Sequence, residues 1–202
     1  MGAESTAPVE RGQTYYGPTQ TIDTANYAGI SLEGQRAVFL DTDYTDSTKL
    51  RSGREVKARL MRNVSGSTLY AGYAVSMEDG YEKERFGNTF TKGCKCAGII
   101  DDRLGSGGCR NGDLCWIIVE GPCYYHTPSA TPATQIGDLL YAKTADGGRL
   151  TPWQEDLVFS ATDVTDGDMG RTLANALGRA IEASTSGETD TVKLMDVGLG
   201  LV

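Results

Sequence analysis

The sequence predicts an all-β fold: a small β-barrel or β-sandwich of short strands, with a long extended N-terminal arm and at most one short helix. Three observations predict it. Glycine is the commonest residue, 26 of 202, against a usual share of about 7%, so the chain turns often. Short apolar runs alternate with turn residues at intervals that suit strands rather than helices. Helical spacing of apolar residues is confined to one segment, 170–183.

Composition bounds the rest. With 39% hydrophobic and 23% charged residues the chain resembles an ordinary folded protein. Its net charge of −8 excludes a globally basic nucleic-acid coat, so no direct nucleic-acid partner is expected. No stretch of 18 apolar residues occurs, so no membrane helix and no membrane partner are expected. The first eleven residues hold neither a basic leader nor an apolar run, and synthesis in a cytosol is expected.

Residues 1–48 read as the arm, and 49–202 as the folded domain. Apolar residues in the arm are isolated except at Ala37-Val38-Phe39-Leu40, and no period persists. Fully extended, 48 residues span up to about 160 Å, far beyond the roughly 16–17 Å radius of gyration of a compact chain of this length. The arm could therefore lie across a neighbouring molecule. Its Tyr15, Tyr16, Tyr27 and Phe39 argue against a floppy tail, since disordered tails are poor in aromatics. They are candidate partner contacts.

Residues 49–62 carry six cations against the single acid Glu55, so this stretch is +5 while the rest of the chain is −13. Val56, Ala58 and Leu60 alternate with Lys57, Arg59 and Met61, as in a half-buried strand. Lys57, Arg59 and Arg62 are candidate contacts for an acidic protein partner. A solvated edge strand guarded by charge is the plainer alternative, and nucleic acid the weaker one, because no aromatics interleave the cations.

Short strands follow. Residues 63–68 read as a turn, 69–77 as a strand interrupted by Gly72, 80–88 as a charged loop, 90–100 as a strand and 105–112 as a loop. The run 113–119 is continuously apolar from Leu114 to Val119 and predicts a strand buried on both faces. Gly121-Pro122 predicts a turn, with a new strand from Cys123 to His126. Pro128 and Pro132 make 127–135 a loop, Leu139 to Ala142 is a strand, and Asp146-Gly147-Gly148 is a hairpin turn. Residues 157–161 and 191–197 are further strands. Segment 170–183 stands open between a helix and a strand over Leu177 to Glu182, Gly178 weighing against the helix.

Chemistry-bearing motifs are few. Cys94, Cys96, Cys109, Cys115 and Cys123 crowd 30 residues without two clean C-x-x-C pairs. Free, mostly buried thiols fit them better than a zinc site, with a late disulfide as a third reading. There is no phosphate-binding glycine loop, dinucleotide fingerprint or nucleophile elbow. His126 is the lone histidine. Asp101-Asp102, Glu155-Asp156 and Asp163/Asp166/Asp168 bring carboxylates together, but the last group lacks calcium-loop spacing. The expectation is a non-enzymatic protein without a catalytic residue, cofactor or metal.

The last ninety residues carry a distinctive order of short motifs. Gly112-Asp113-Leu114-Cys115-Trp116-Ile117-Ile118-Val119-Glu120-Gly121 precedes Ile136-Gly137-Asp138-Leu139-Leu140-Tyr141, then Asp146-Gly147-Gly148-Arg149-Leu150. Ala176-Leu177-Gly178-Arg179-Ala180-Ile181-Glu182-Ala183 and Thr191-Val192-Lys193-Leu194 close the series, and the stretch from Asn63 to Val75 suits the opening strand. This order resembles the head decoration (cement) proteins of tailed bacteriophages over about residues 60–202. The cysteine cluster and the 1–48 region depart from it. The resemblance implies a capsid protein of the virion, made in the host cytoplasm, that binds the outside of the head and stabilises contacts between major capsid subunits. It implies the major capsid protein and further copies of itself as partners, as a homotrimer or alternatively a dimer. It favours the strand over Leu177 to Glu182. The alternative is another virion β module, a head-fibre base or tail-associated adhesin that binds a host surface ligand.

Overall fold

The computed structural model describes residues 11–14, 32–43, 50–80, 84–90, 96–128, 133–142, 147–152, 176–186 and 191–198. These residues form an all-β protein, with no helix among them. Ten strands follow in chain order: β1 Arg36–Thr42, β2 Leu50–Asn63, β3 Ala74–Met77, β4 Arg85–Gly87, β5 Cys96–Ile100, β6 Leu114–His126, β7 Leu139–Ala142, β8 Leu150–Pro152, β9 Ala176–Ala180 and β10 Val192–Val197.

The strands pair in the order β1-β2-β4-β3-β5-β6-β10-β9-β7-β8, and β2 pairs with β6 as well. That extra ladder closes β2, β4, β3, β5 and β6 into a five-strand ring. One cluster of buried residues draws from every strand of the ring: Met61, Val75, Phe86, Ile100 and Ile117, with Cys109 and Cys115 beside them. A second, larger cluster faces the other way. It stacks Ala58, Leu60, Trp116 and Ile118 against Leu140, Leu150, Leu177 and Met195 of the outer strands. Strand alternation makes this possible, because successive residues of β2 and β6 serve opposite clusters. The run Leu114 to Ile118 is buried on both faces, as its uninterrupted apolar text predicts.

Several boundaries differ from the sequence reading. Residues 36–42, assigned above to the arm, form β1 and pair antiparallel with β2 from Arg36↔Arg59 to Thr42↔Leu50. Leu32 is 1% exposed in the larger core. The reason is the alternation Ala37, Phe39, Asp41 against Arg36, Val38, Leu40, which gives one face to the core over only seven residues, too few for the period to stand out. The basic strand β2 is not an edge, since it pairs with β1 on one side and β6 on the other. Among the described strands, β1 and β8 stand at the two ends of the order.

The turn expected at Gly121-Pro122 is instead a bend within one 13-residue strand, β6. Lys57 opposes Glu120 but Ala58 opposes Ile118, so β6 carries an extra residue at a bulge. Gly121 has φ 102°, and a Cβ there would lie 2.4 Å from the Glu55 carbonyl oxygen. The chain can therefore turn from β2 to a new partner, β10, which pairs from Val197↔Gly121 to Val192↔His126.

Strand β3 is shorter than expected. Gly72 lies in a turn, and Leu69 makes an isolated bridge to Cys109. Inside the expected charged loop, 85–87 pairs with β2 and β3. Within the expected strand 90–100, residues 96–100 form β5; within the 170–183 segment, residues 176–180 form β9 and 181–183 lie beyond it. The expected strand 157–161 lies outside the described residues. Asn63 is fully buried and explains the turn wording after β2. Its side-chain nitrogen donates to the Ser67 and Cys109 carbonyls at 2.9 and 2.8 Å, and its oxygen accepts from the Ser65 amide at 2.9 Å.

Candidate functional site

Among the described residues, the contact residues expected from sequence, Phe39, Lys57, Arg59 and Arg62, do not form one patch. Tyr15, Tyr16 and Tyr27 lie outside the described residues. Phe39 turns inward: its ring meets Trp116 edge to face, with centroids 5.3 Å apart. It belongs to the core rather than to a free surface. Lys57 is exposed but donates to Glu120 at 2.7 Å, and that bond and charge hold its ammonium above its ordinary pKa. Arg62 is ion-paired with Glu33 and also donates to the Gly112 carbonyl at 2.6 Å. Arg54 reaches both oxygens of Asp196, at 2.7 and 2.9 Å. Most of the basic excess of 49–62 is thus consumed by acids from distant parts of the chain.

Among the described residues of the stretch, Arg59 is the exception. It stands directly across the ladder from Arg36, and directly opposed residues share a sheet face. Neither guanidinium has a carboxylate partner among the described residues. Partial burial and the charge of Arg36 hold Arg59 below an arginine's ordinary pKa. Along the same outer face of β1 follow Val38, 51% exposed, and Leu40, 59% exposed, with Leu50 beyond them at 58%.

Sequence reasoning noted Asp101-Asp102 only as a carboxylate pair. In the structure they anchor a buried ion cluster. Arg11 Nε donates to Asp101 at 2.9 Å and Nη2 to Asp102 at 2.8 Å. Asp101 also accepts from the Gly12 amide at 2.8 Å. Arg51 bridges Asp41 at 2.6 Å and Asp102 at 3.2 Å, donates to the Pro122 carbonyl at 3.1 Å and lies over the Tyr124 ring at 4.6 Å. Ser52 and the Tyr124 amide complete the bonding of Asp41 and Asp102. Burial works against the charge of Arg11, but Asp101 and Asp102 more than offset it and raise its pKa. Burial raises Asp101 above the usual carboxylate range; Arg11 opposes that and Asp102 adds to it. No sequence period marks this cluster, because its members come from five separate segments. It clamps residues 11 and 12 onto the carboxylates that follow β5, which in turn tie to β1, β2 and β6.

Chemistry elsewhere is sparse. A cleft of about 250 Å³ is lined by Gly72, Asp102, Tyr124 and His126, below the roughly 300–1,000 Å³ of small-molecule sites. Its carboxylate is already engaged by Arg11, Arg51 and the Tyr124 amide. Cys96, Cys109, Cys115 and Cys123 are free thiols. Burial pushes the Cys115 and Cys123 thiols well above their ordinary pKa. Among the described residues no three His, Cys, Asp or Glu side chains are placed to hold a metal ion.

No family model matches the chain, and no curated protein does. Among solved structures, the head fibre gp8.5 N base of bacteriophage phi29 is similar over 70% of this chain and 92% of that one, at 13% identity and a TM-score of 0.37. Such a score is too low to carry over anything about architecture or role.

Proposed function

We propose that this chain is a structural protein of a tailed-phage virion, a decoration protein bound to the outer surface of the head. There it ties neighbouring major capsid subunits together without turning over any molecule. The supporting observation is how the motifs behind the resemblance meet in space. They supply β6 to β10, one continuous run of the sheet. The Gly137-Asp138-Leu139 turn bonds directly to the Leu177-Gly178-Arg179-Ala180 strand. The Gly137 amide donates to the Ala180 carbonyl at 2.8 Å, the Ala180 amide donates to the Asp138 carbonyl at 2.9 Å, and Arg179 donates to the Gly137 carbonyl at 2.8 Å. With Gly137 and Arg179 42 residues apart in sequence, the two motifs form one structural unit.

The physics of the role is mass action. A protein that binds only the assembled shell stabilises that state, and repetition over a symmetric lattice converts modest contacts into avidity. Self-association as a trimer or dimer would add to it. Removing all of 1–48 is not a clean test of attachment, because it deletes β1 and Arg11 as well. The direct experiment adds the intact chain to purified expanded heads that lack it and images them by cryo-electron microscopy. Density repeated over the outer lattice, with heads that withstand higher temperature, is the expected result. Density at isolated points carrying a projecting fibre would favour the head-fibre alternative. No association with heads would overturn both.

A further inference from the structure

The outer face of β1 and β2 combines two features that folding alone does not favour. Like charges directly opposite across an antiparallel ladder destabilise it, yet Arg36 and Arg59 oppose each other with no acid partner among the described residues. Beside them Val38 and Leu40 expose more than half of their surface on a strand at the end of the sheet. The other charges on this face are Lys57, which bonds Glu120, and Glu55, which also acts on Lys57; they leave one surplus carboxylate opposite Leu40, at the far end of the strip from Arg36 and Arg59. The net result is an apolar strip ending in two uncompensated guanidiniums.

We propose that this face docks an acidic, partly apolar segment of another protein, with carboxylates seated between Arg36 and Arg59 and apolar side chains on Val38 and Leu40. The inference rests on the reading of the chain as one that binds a larger protein shell. Charge complementarity selects the occupant. Paired guanidiniums match carboxylates in bidentate geometry. A second copy brings its whole −8 against the first, where a short segment brings only a few carboxylates, and a phosphate backbone has nothing to bury on Val38 and Leu40 and finds no aromatic platform on this face. Simple strand addition along β1 is obstructed at one end, because the Leu40 carbonyl already accepts from Arg11 at 3.4 Å. Side-chain docking on the face remains open.

The test uses the full chain and a labelled nonapeptide of alternating Glu and Leu. Its Lys–Leu counterpart and an oligothymidylate serve as competing probes. Fluorescence anisotropy gives affinity at two salt concentrations, and methyl shifts of Val38 and Leu40 locate the site. The expected result is binding of the Glu–Leu peptide alone, weakened about tenfold or more by raised salt, with shifts at Val38 and Leu40. Arg36→Glu should abolish it. The same substitution places an acid opposite Arg59, so the protein should melt about 1–3 °C higher. Loss of binding therefore cannot be ascribed to unfolding. Arg179→Glu, a charge change on β9, should leave binding intact. Undiminished binding by Arg36→Glu, preference for the oligonucleotide, or an Arg36→Glu effect on self-association alone would each overturn the proposal. If heads bind wild type and Arg36→Glu equally, this inference falls and the virion reading stands. If the peptide binds as expected but heads do not, the reverse holds.

Discussion

Arg11→Met asks whether the ion cluster holds the N-terminal segment in place. Arg11 is 7% exposed at its side chain, and its partners Asp101 and Asp102 are 1% and 3% exposed. Removing one member of a buried pair costs about 3–5 kcal/mol, because the other charge is left in low dielectric. Here the lower end applies. Asp102 keeps Arg51 and the Tyr124 amide, and Asp101 keeps the Arg103 amide at 3.3 Å. A loss of about 3 kcal/mol lowers the melting temperature by about 6–12 °C in a chain of this size.

The loss also has a pH signature. A carboxyl whose folded pKa is raised, as for Asp101, binds its proton more tightly folded than unfolded. Its contribution to stability is therefore greatest in acid and declines as pH rises from the unfolded value of about 3.9 through the folded one. Removing Arg11 raises the folded value further. The gap between variant and wild type should thus be widest at pH 7 and shrink toward pH 4. Thermal unfolding by circular dichroism across that range measures it. Adding Asp101→Asn to Arg11→Met should restore part of the loss, since no buried charge is then stranded. A gap below 1 °C at pH 7, or one independent of pH, would refute the reasoning.

Three further outcomes are expected. In Gly178→Ala the new Cβ would sit 1.9 Å from the Asp196 carbonyl oxygen, forcing β9 and β10 apart; urea unfolding should show a loss of about 3 kcal/mol with an unchanged slope. Trp116→Ala empties the centre of the larger core and strips Phe39 of its ring partner, so about 3–5 kcal/mol and much of the near-ultraviolet dichroism should be lost. In thiol labelling followed by peptide mass spectrometry, half-buried Cys96 should react well before Cys109, Cys115 and Cys123, which are fully buried and should label only on unfolding.

What the sequence made legible was local. The run from Leu114 to Val119, the alternation of Val56, Ala58 and Leu60, and the strand Leu139 to Ala142 all stand where apolar period and turn residues put them, because each is fixed by its own neighbours. The strand at 176–180 needed the motif resemblance, since Gly178 is there to let β10 approach and says nothing about helix or strand by itself. The misread turn at Gly121-Pro122 shows the opposite limit. Glycine and proline marked a bend correctly, but whether a strand reverses or changes partner there depends on β10, seventy residues away. The same holds for the candidate site. Lys57 and Arg62 looked free because Glu120 and Glu33 are remote in sequence, whereas the uncompensated pair needed the ladder register to bring Arg36 opposite Arg59.

The ladder between β2 and β6 has a consequence for how the chain is made. Lys57 must wait for Glu120, 63 residues later. At about 5–20 residues per second of synthesis, that is a delay of about 3–13 s. During it Val56, Ala58 and Leu60 lack the β6 ladder. Alternating those residues with Lys57, Arg59 and Arg62 makes the waiting strand a poor template for its own kind, since two such segments on neighbouring ribosomes repel. These cations, of which Lys57 and Arg62 end up ion-paired in the finished protein, thus act first as guardians of the nascent one.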